Sequence, residues 1–170
     1  MEKVKSSREC LSCTACCDGW LQLSVFLETV CPGHPCTHRT ADGCGIYENR
    51  PTNPCKIFKC GWLIDNSPLP DWMRPSDSKV IFLFNKYSWK NQHVDNAIST
   101  GEEMPSTTID WLKNFTLQNK RLLLVTEQKY MGENNPLRTK ITVFGTDEFR
   151  NSIGDLARNR KLFLDGKILG

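Results

Sequence analysis

Hydrophobic positions in the second half of the chain follow patterns that predict both strands and helices. The apolar run at residues 79–85 predicts a buried strand, and residues 122–126 and 139–144 predict two more. Apolar residues near helical spacing predict helices over residues 105–120 and 146–158. This mixture, without a regular alternation of strands and helices, is typical of a small α+β fold.

The first half of the chain carries a weaker pattern. Residues 1–9 are polar and predicted to fray, and partial alternation over residues 20–27 predicts one strand. Residues 31–54 are crowded with Pro, Gly, Asn and Asp, which predicts loop. A loop of this length in a compact domain needs something other than regular structure to order it. We therefore divide the chain into an irregular region, residues 1–63, and a small α+β region, residues 64–170, packed together as one unit.

Turn-forming residues mark several predicted boundaries. Pro68, Pro70 and Pro75 predict a linker between the two regions. Asn53-Pro54 predicts the N-cap and first residue of a helix. A last short strand or hairpin is predicted around Asp165-Gly166.

Cysteine is the residue whose distribution changes this picture. All nine cysteines lie between residues 10 and 60, and the remaining 110 residues have none. Cysteines that served only as small core residues would be spread through both regions. The irregular region therefore has a specific use for sulfur.

Composition and charge limit the classes of function. Hydrophobic content is 39% and charged content 24%, as in ordinary globular proteins. The sequence has no apolar run long enough to cross a membrane and no recognisable signal peptide, so we expect a cytoplasmic protein. Net charge is only +3, and the one dense basic stretch is Arg158, Arg160 and Lys161, which is too narrow to indicate a nucleic-acid partner. No feature of the sequence identifies a protein partner.

The spacing C-x2-C-x2-C suits one inorganic centre. Cys10, Cys13 and Cys16 recur at intervals that return each sulfur to the same side of the chain, as in ferredoxins that hold an iron–sulfur cluster. Zinc sites more often combine separate C-x2-C pairs. Cys17 follows Cys16 directly, and neighbouring side chains diverge, so one of the two serves a second centre or bridges two metals. Ligation by sulfur indicates zinc or an iron–sulfur cluster.

The downstream cysteines supply the remaining sulfurs, and His34 and His38 lie among them. Nine sulfurs would furnish two four-coordinate sites and leave one spare, for which we propose Cys31. Cys55 and Cys60 would point about 140° apart on one helix. Either the helix ends before Cys60, or these two cysteines serve different sites.

A disulfide framework is the competing interpretation of clustered cysteines. The odd number of cysteines and the absence of a recognisable secretion signal argue against it. A bridge between the adjacent Cys16 and Cys17 would also be strained.

At these residues the sequence resembles the YkgJ-type cysteine-cluster family, whose members are described as zinc- or iron-chelating proteins and are mostly bacterial. The resemblance is carried by C-x2-C-T-x-C-C at residues 10–17, C-x-H at 36–38, G-C-G-I-Y-E-x-R-P at 43–51 and C-x2-F-x-C-x-W-L at 55–63. Arg74-Pro75-x-Asp77 is also similar to a short bacterial branch of that family.

The resemblance implies a set of metal ligands. The implied ligands are Cys10, Cys13, Cys16, Cys17, Cys36, Cys44, Cys55 and Cys60. His38 is implied as a further possible ligand, and Cys31 falls outside the pattern. Some relatives are described as flagellin lysine N-methylases, but this chain is much shorter and has no recognisable motif for a methyl donor, such as G-x-G-x-x-G.

Three functional hypotheses follow from the sequence. The first is a metal-binding protein with an accessory or redox role, which holds an iron–sulfur cluster or zinc through cysteine thiolates. The second is a metal-dependent enzyme, which would need a centre with an open coordination position. The third is a zinc-stabilised interaction module with closed sites.

Overall fold

The computed structural model of this chain describes residues 8–101, 103–132 and 138–158. Four short strands lie in its first part: β1 (Leu23–Val25), β2 (Glu28–Val30), β3 (Arg39–Thr40) and β4 (Gly43–Cys44). The second part contains α1 (Pro75–Ser78), β5 (Val80–Trp89), β6 (Gln92–Ser99), α2 (Ser106–Gln118), β7 (Leu122–Lys129), β8 (Arg138–Phe144) and α3 (Asp147–Arg158). The predicted α+β class is confirmed. The hairpin predicted around Asp165-Gly166 lies outside the described residues.

The second part is built on a four-stranded sheet with the order β5-β6-β7-β8. β6 and β7 are parallel, and α2 lies between them in the chain. The other two pairings are antiparallel. A parallel pair needs a long crossover connection, which explains why the predicted helix over residues 105–120 falls at this point.

Strand β6 was missed by the sequence patterns. Asp95 and Asn96 interrupt its apolar positions, although they are only 1% and 3% exposed. The Arg121 guanidinium pairs with the Asp95 carboxylate, and Asn96 Oδ1 accepts a hydrogen bond from Thr126 Oγ1 at 2.9 Å. Polar residues are tolerated inside this strand because partners distant in the sequence satisfy them.

The two faces of the sheet are covered by different helices. Leu123 and Leu124 are neighbours on β7, and their side chains point to opposite faces. Leu123 belongs to the main core with Leu112 of α2, whereas Leu124 packs in a second cluster with Phe149 of α3.

The first part, residues 8–63, is called the front lobe below. Its predicted strand over residues 20–27 is shorter, because Phe26 and Leu27 form the turn between β1 and β2 with φ of 49° and 70°. Such left-handed residues suit a tight hairpin turn. Val25, Val30 and Cys36 form the only buried cluster confined to the described part of this lobe, which we call the front cluster. Most of residues 31–54 is irregular, as the composition predicts.

The predicted linker at Pro68, Pro70 and Pro75 is wrong. Leu69 and Met73 are each 1% exposed and belong to the main core, because short helical turns fold this segment back onto the sheet.

The front lobe also packs directly on the second part. Arg8 donates hydrogen bonds to the carbonyl oxygens of Trp62 at 3.0 Å and Leu69 at 2.8 Å, and it pairs with Asp71. Arg8 is therefore anchored, contrary to the fraying predicted for this position. The boundary at residue 63 stays a prediction, but residues on both sides of it share one core. Within the described residues, no helix has the length and apolarity to cross a membrane.

Candidate metal centre

A small cavity in the front lobe collects the predicted ligands. Its volume is about 90 Å³. Its lining includes Cys10, Cys13, Cys16, Cys17, Cys36, Cys44, Cys55 and Cys60. His38 also lines the cavity, whereas Cys31 does not. Cys31 instead pairs with His34 in an isolated bridge, where each backbone N–H donates to the other residue's carbonyl oxygen. All nine cysteines are free thiols.

The first four cysteines of the cavity lie in a chain of tight turns. The N–H of Cys13 donates to the carbonyl oxygen of Cys10 at 2.8 Å, and the N–H of Gly19 donates to that of Cys16 at 3.1 Å. Asp18 continues the turns by donating its N–H to the carbonyl oxygen of Thr14 at 2.8 Å. Because the chain reverses repeatedly, Cys10, Cys13 and Cys16, which are three residues apart, all reach the lining of the cavity.

Cys36 and Cys44 reach the cavity through backbone pairing. The N–H of Cys36 donates to the carbonyl oxygen of Cys17 at 2.8 Å. Arg39 lies opposite Cys44 in the β3–β4 hairpin, and its N–H donates to the carbonyl oxygen of Cys36 at 2.9 Å. Arg39 also pairs with Asp18 at 2.6 Å, which ties this hairpin to the first turns.

Cys55 and Cys60 lie on different local structures. Cys55 belongs to a wide helical turn over Thr52–Lys56, in which Asn53 is not helical and the Asn53-Pro54 peptide is cis. Asn53 thus precedes a helical turn that begins at Pro54, as predicted for this pair, and in that turn the N–H of Phe58 donates to the carbonyl oxygen of Pro54 at 2.8 Å. The turn ends before Cys60. Cys60 precedes Gly61, whose N–H donates to the carbonyl oxygen of Phe82 on β5 at 2.6 Å. The sheet thus positions Cys60 directly.

Gly43 is required where the β3–β4 hairpin approaches the first turns. Its φ is +126°, and a Cβ atom there would lie 2.3 Å from the carbonyl oxygen of Leu11. Leu11 lies between Cys10 and Cys13, so this close approach brings the hairpin that carries Cys44 against the loop that carries the first ligands.

Gly43→Ala is expected to destabilise the front lobe by about 1–3 kcal/mol and to lower its metal content, because the Leu11 carbonyl would have to move. Metal analysis and thermal unfolding would measure both effects. Gly154→Ala in α3 is the matched control, since a Cβ atom there meets nothing within 4 Å. Equal metal content and equal stability in the two variants would show that the close approach is unimportant.

Two arginines supply positive charge beside the thiols. Arg50 lines the cavity with its guanidinium carbon 3.7 Å from the centre of the Tyr47 ring, and its Nε and Nη1 are buried without a hydrogen-bond partner. Arg74 donates from Nη2 to the carbonyl oxygen of Cys10 at 2.5 Å. Half-buried cations at these positions offset the negative charge that thiolates would bring.

The thiols themselves resist ionisation. Burial and, to a smaller extent, the neighbouring thiols raise the pKa of Cys10 to about 11 and of Cys17 to about 12. Burial likewise raises the pKa of Cys16, Cys55 and Cys60. A group of thiolates this close together needs a cation among them, and a thiophilic metal is the cation that prefers sulfur ligands.

The donor set fits zinc or an iron–sulfur cluster, but the sulfurs do not already converge. Within residues 8–101, 103–132 and 138–158, no three or more His, Cys, Asp or Glu side chains are arranged to hold a metal ion. Each cysteine sulfur moves by rotation about one side-chain bond. The shared cavity, rather than a finished coordination sphere, is therefore what supports a centre here.

Sequence reasoning missed the residues that hold the front lobe against the sheet. Arg8 and Arg74 flank the Trp62 ring, with guanidinium carbons 4.9 and 5.9 Å from its centre. Tyr47, Phe58 and Trp62 line the cavity. The Arg74-Pro75 motif indicated that Arg74 belongs to the family pattern. Its contact with Cys10 depends on a chain reversal that the sequence does not reveal.

Comparison of the chain with family models, with curated protein sequences and with solved structures finds no match. The resemblance to the YkgJ-type family thus stays a prediction from the cysteine motifs.

Proposed function

We propose that this protein binds zinc or an iron–sulfur cluster through its clustered cysteine thiolates and serves an accessory or redox role. The observation that carries the proposal is that eight cysteines from five local structures line one small cavity, while Cys31 lies outside it. The raised pKa of the Cys10 and Cys17 thiols, and the position of Arg50 and Arg74 beside Cys10, are consistent with a site completed by a metal.

The size of the cavity favours metal binding over the enzyme hypothesis. Pockets for organic ligands usually hold about 300–1,000 Å³, several times the volume found here. A cavity of about 90 Å³ suits an ion or small cluster better than a substrate. The interaction-module hypothesis shares the same thiolate sites and differs in having only zinc in closed coordination.

Cys13→Ser and Cys16→Ser are each expected to remove at least a third of the metal, because each takes a sulfur from the lining of the cavity. Anaerobic purification followed by iron, zinc and acid-labile sulfide analysis would measure this. Iron with equimolar sulfide and broad absorption near 400 nm would indicate a cluster, whereas a colourless protein with stoichiometric zinc would indicate the interaction module.

Cys31→Ser is the matched control, because it changes a cysteine of the same lobe that does not line the cavity. Its metal content should equal that of the unmodified protein. A wild-type protein without stoichiometric metal would contradict the proposed function. Equal losses in Cys31→Ser and Cys13→Ser would contradict the assignment of ligands.

A further inference from the structure

Packing separates the cysteines into two environments. Cys60 is 4% exposed within the main core, and Cys13 packs against the same core. Cys36 is 9% exposed within the front cluster, and Cys17 and Cys55 pack against that cluster. Two apolar clusters therefore hold different members of the ligand set.

Backbone contacts extend the first environment to Cys10. Cys13 and Cys10 are joined by one turn. Arg74 binds the Cys10 carbonyl oxygen and also lies over the ring of Trp62, two residues after Cys60. The Cys10 turn and the Cys60 segment are thus held together on the side of the sheet.

Backbone contacts extend the second environment to Cys44. Cys17 is joined to Cys36 by a hydrogen bond, and Cys36 is joined to Arg39, the residue opposite Cys44 in the hairpin. This continuous path runs through neither Cys10 nor Cys60.

The position of Cys16 in the chain places it with the first environment. It follows Cys13 at the same interval by which Cys13 follows Cys10. Ala15, the residue before it, is 5% exposed within the main core.

Cys17 has a different set of neighbours. It packs with Cys55 against the front cluster, and its carbonyl oxygen accepts the N–H of Cys36. Adjacent residues in the sequence therefore contact different clusters.

We infer that the eight cysteines build two separate four-sulfur metal centres. The first centre takes Cys10, Cys13, Cys16 and Cys60, and the second takes Cys17, Cys36, Cys44 and Cys55. The inference rests on the proposed function, because it divides the same ligands between two zinc ions or two clusters. The Cys16–Cys17 peptide is the boundary between the centres.

This division has a chemical consequence. Four sulfurs complete a tetrahedral shell around zinc and also match the four irons of a cubane cluster. Neither centre keeps an open position for a substrate, and His38 is not needed as a ligand. Both centres would act in structure or electron transfer. Arg74 lies beside Cys10 of the first centre, whereas Arg50 lies near Cys10 and also near Cys44 of the second centre.

Two double variants that differ by one position test the division. Cys16→Ala/Cys60→Ala removes two sulfurs from the first centre and is expected to retain half of the wild-type metal. Cys17→Ala/Cys60→Ala removes one sulfur from each centre and is expected to retain almost none. Metal would be measured by mass spectrometry after anaerobic dialysis against a mild chelator, which strips incomplete centres.

The outcomes separate the inference from the proposed function. The two-centre assignment would be overturned if Cys17→Ala/Cys60→Ala kept half of its metal, or if Cys16→Ala/Cys60→Ala lost all of it. Metal binding by the wild-type protein would still stand. Wild-type protein without metal would overturn both. Far-UV circular dichroism would verify that the sheet is intact in each variant.

A measurement on the unmodified protein covers the case in which a variant fails to fold. Stepwise chelation, alkylation of exposed thiols and peptide mapping should reveal an intermediate with four protected cysteines, all from one centre. Protection of a mixed set, or simultaneous loss of all eight, would contradict the inference.

Discussion

Removing the metal is expected to unfold the front lobe while the four-stranded sheet stays folded. The front cluster contains only three buried residues, and β1 to β4 are two or three residues long. Such short strands and so small a core cannot offset the conformational entropy of ordering this segment. Structural zinc supplies an apparent free energy of about 10–16 kcal/mol in zinc-finger peptides, which is enough to decide whether a segment folds.

Limited proteolysis with mass spectrometry would measure this effect before and after anaerobic chelation. Cleavage should begin within residues 22–56, because the main core holds Trp20 and Leu21 before this segment and Cys60 and Trp62 after it. Adding back zinc or rebuilding the cluster should restore protection, which provides the control for irreversible damage. Equal protection of the front lobe with and without metal would show that apolar packing alone orders it.

Arg121→Ala is expected to produce a large loss of stability, although the change lies outside the front lobe. The side chain of Asp95 is 1% exposed, and Arg121 binds both of its carboxylate oxygens. Asp95 also accepts the backbone N–H of Asn85 at 2.9 Å, where the β5–β6 register shifts. Removing the guanidinium would leave a buried charge without its partner, at a cost of about 3 kcal/mol.

Thermal unfolding would detect this loss as a decrease in Tm of roughly 6–12 °C for a chain of this size. Arg150→Ala is the control, because its partner Asp147 is 83% exposed and surface ion pairs contribute only about 0–1 kcal/mol. If Arg121→Ala lowers the Tm no more than Arg150→Ala does, then the Arg121–Asp95 ion pair does not stabilise β6.

The elements predicted with success are those whose burial is local and periodic. The helix over residues 105–120 and the strand over residues 139–144 lie within one or two residues of α2 and β8. Their apolar residues face the core at the helical or strand repeat, so the pattern is visible in the sequence. Strand β6 lacks such a pattern because Asp95 depends on Arg121, which is 26 residues away.

The candidate site also combines features that the sequence predicts with features that depend on contacts between distant residues. The resemblance to the YkgJ-type family implied eight cysteine ligands and left Cys31 outside its pattern, and these eight are the cysteines that line the cavity. Their division between centres was left open, because a spacing does not say which sulfurs meet after the chain folds. The adjacent residues Cys16 and Cys17 lie near different groups of cysteines only once the hairpins and the sheet are in place.

The sequence by itself determined the α+β class and the concentration of sulfur in the first sixty residues, since both depend on composition and local periodicity. The tertiary structure decided that the segment carrying Pro68 and Pro70 belongs to the core, that Arg8 and Arg74 clasp the front lobe, and that Cys60 is held by β5. These features require contacts between residues distant in the chain. The free energy that stabilises such contacts comes from the whole fold, so a local sequence pattern does not predict them.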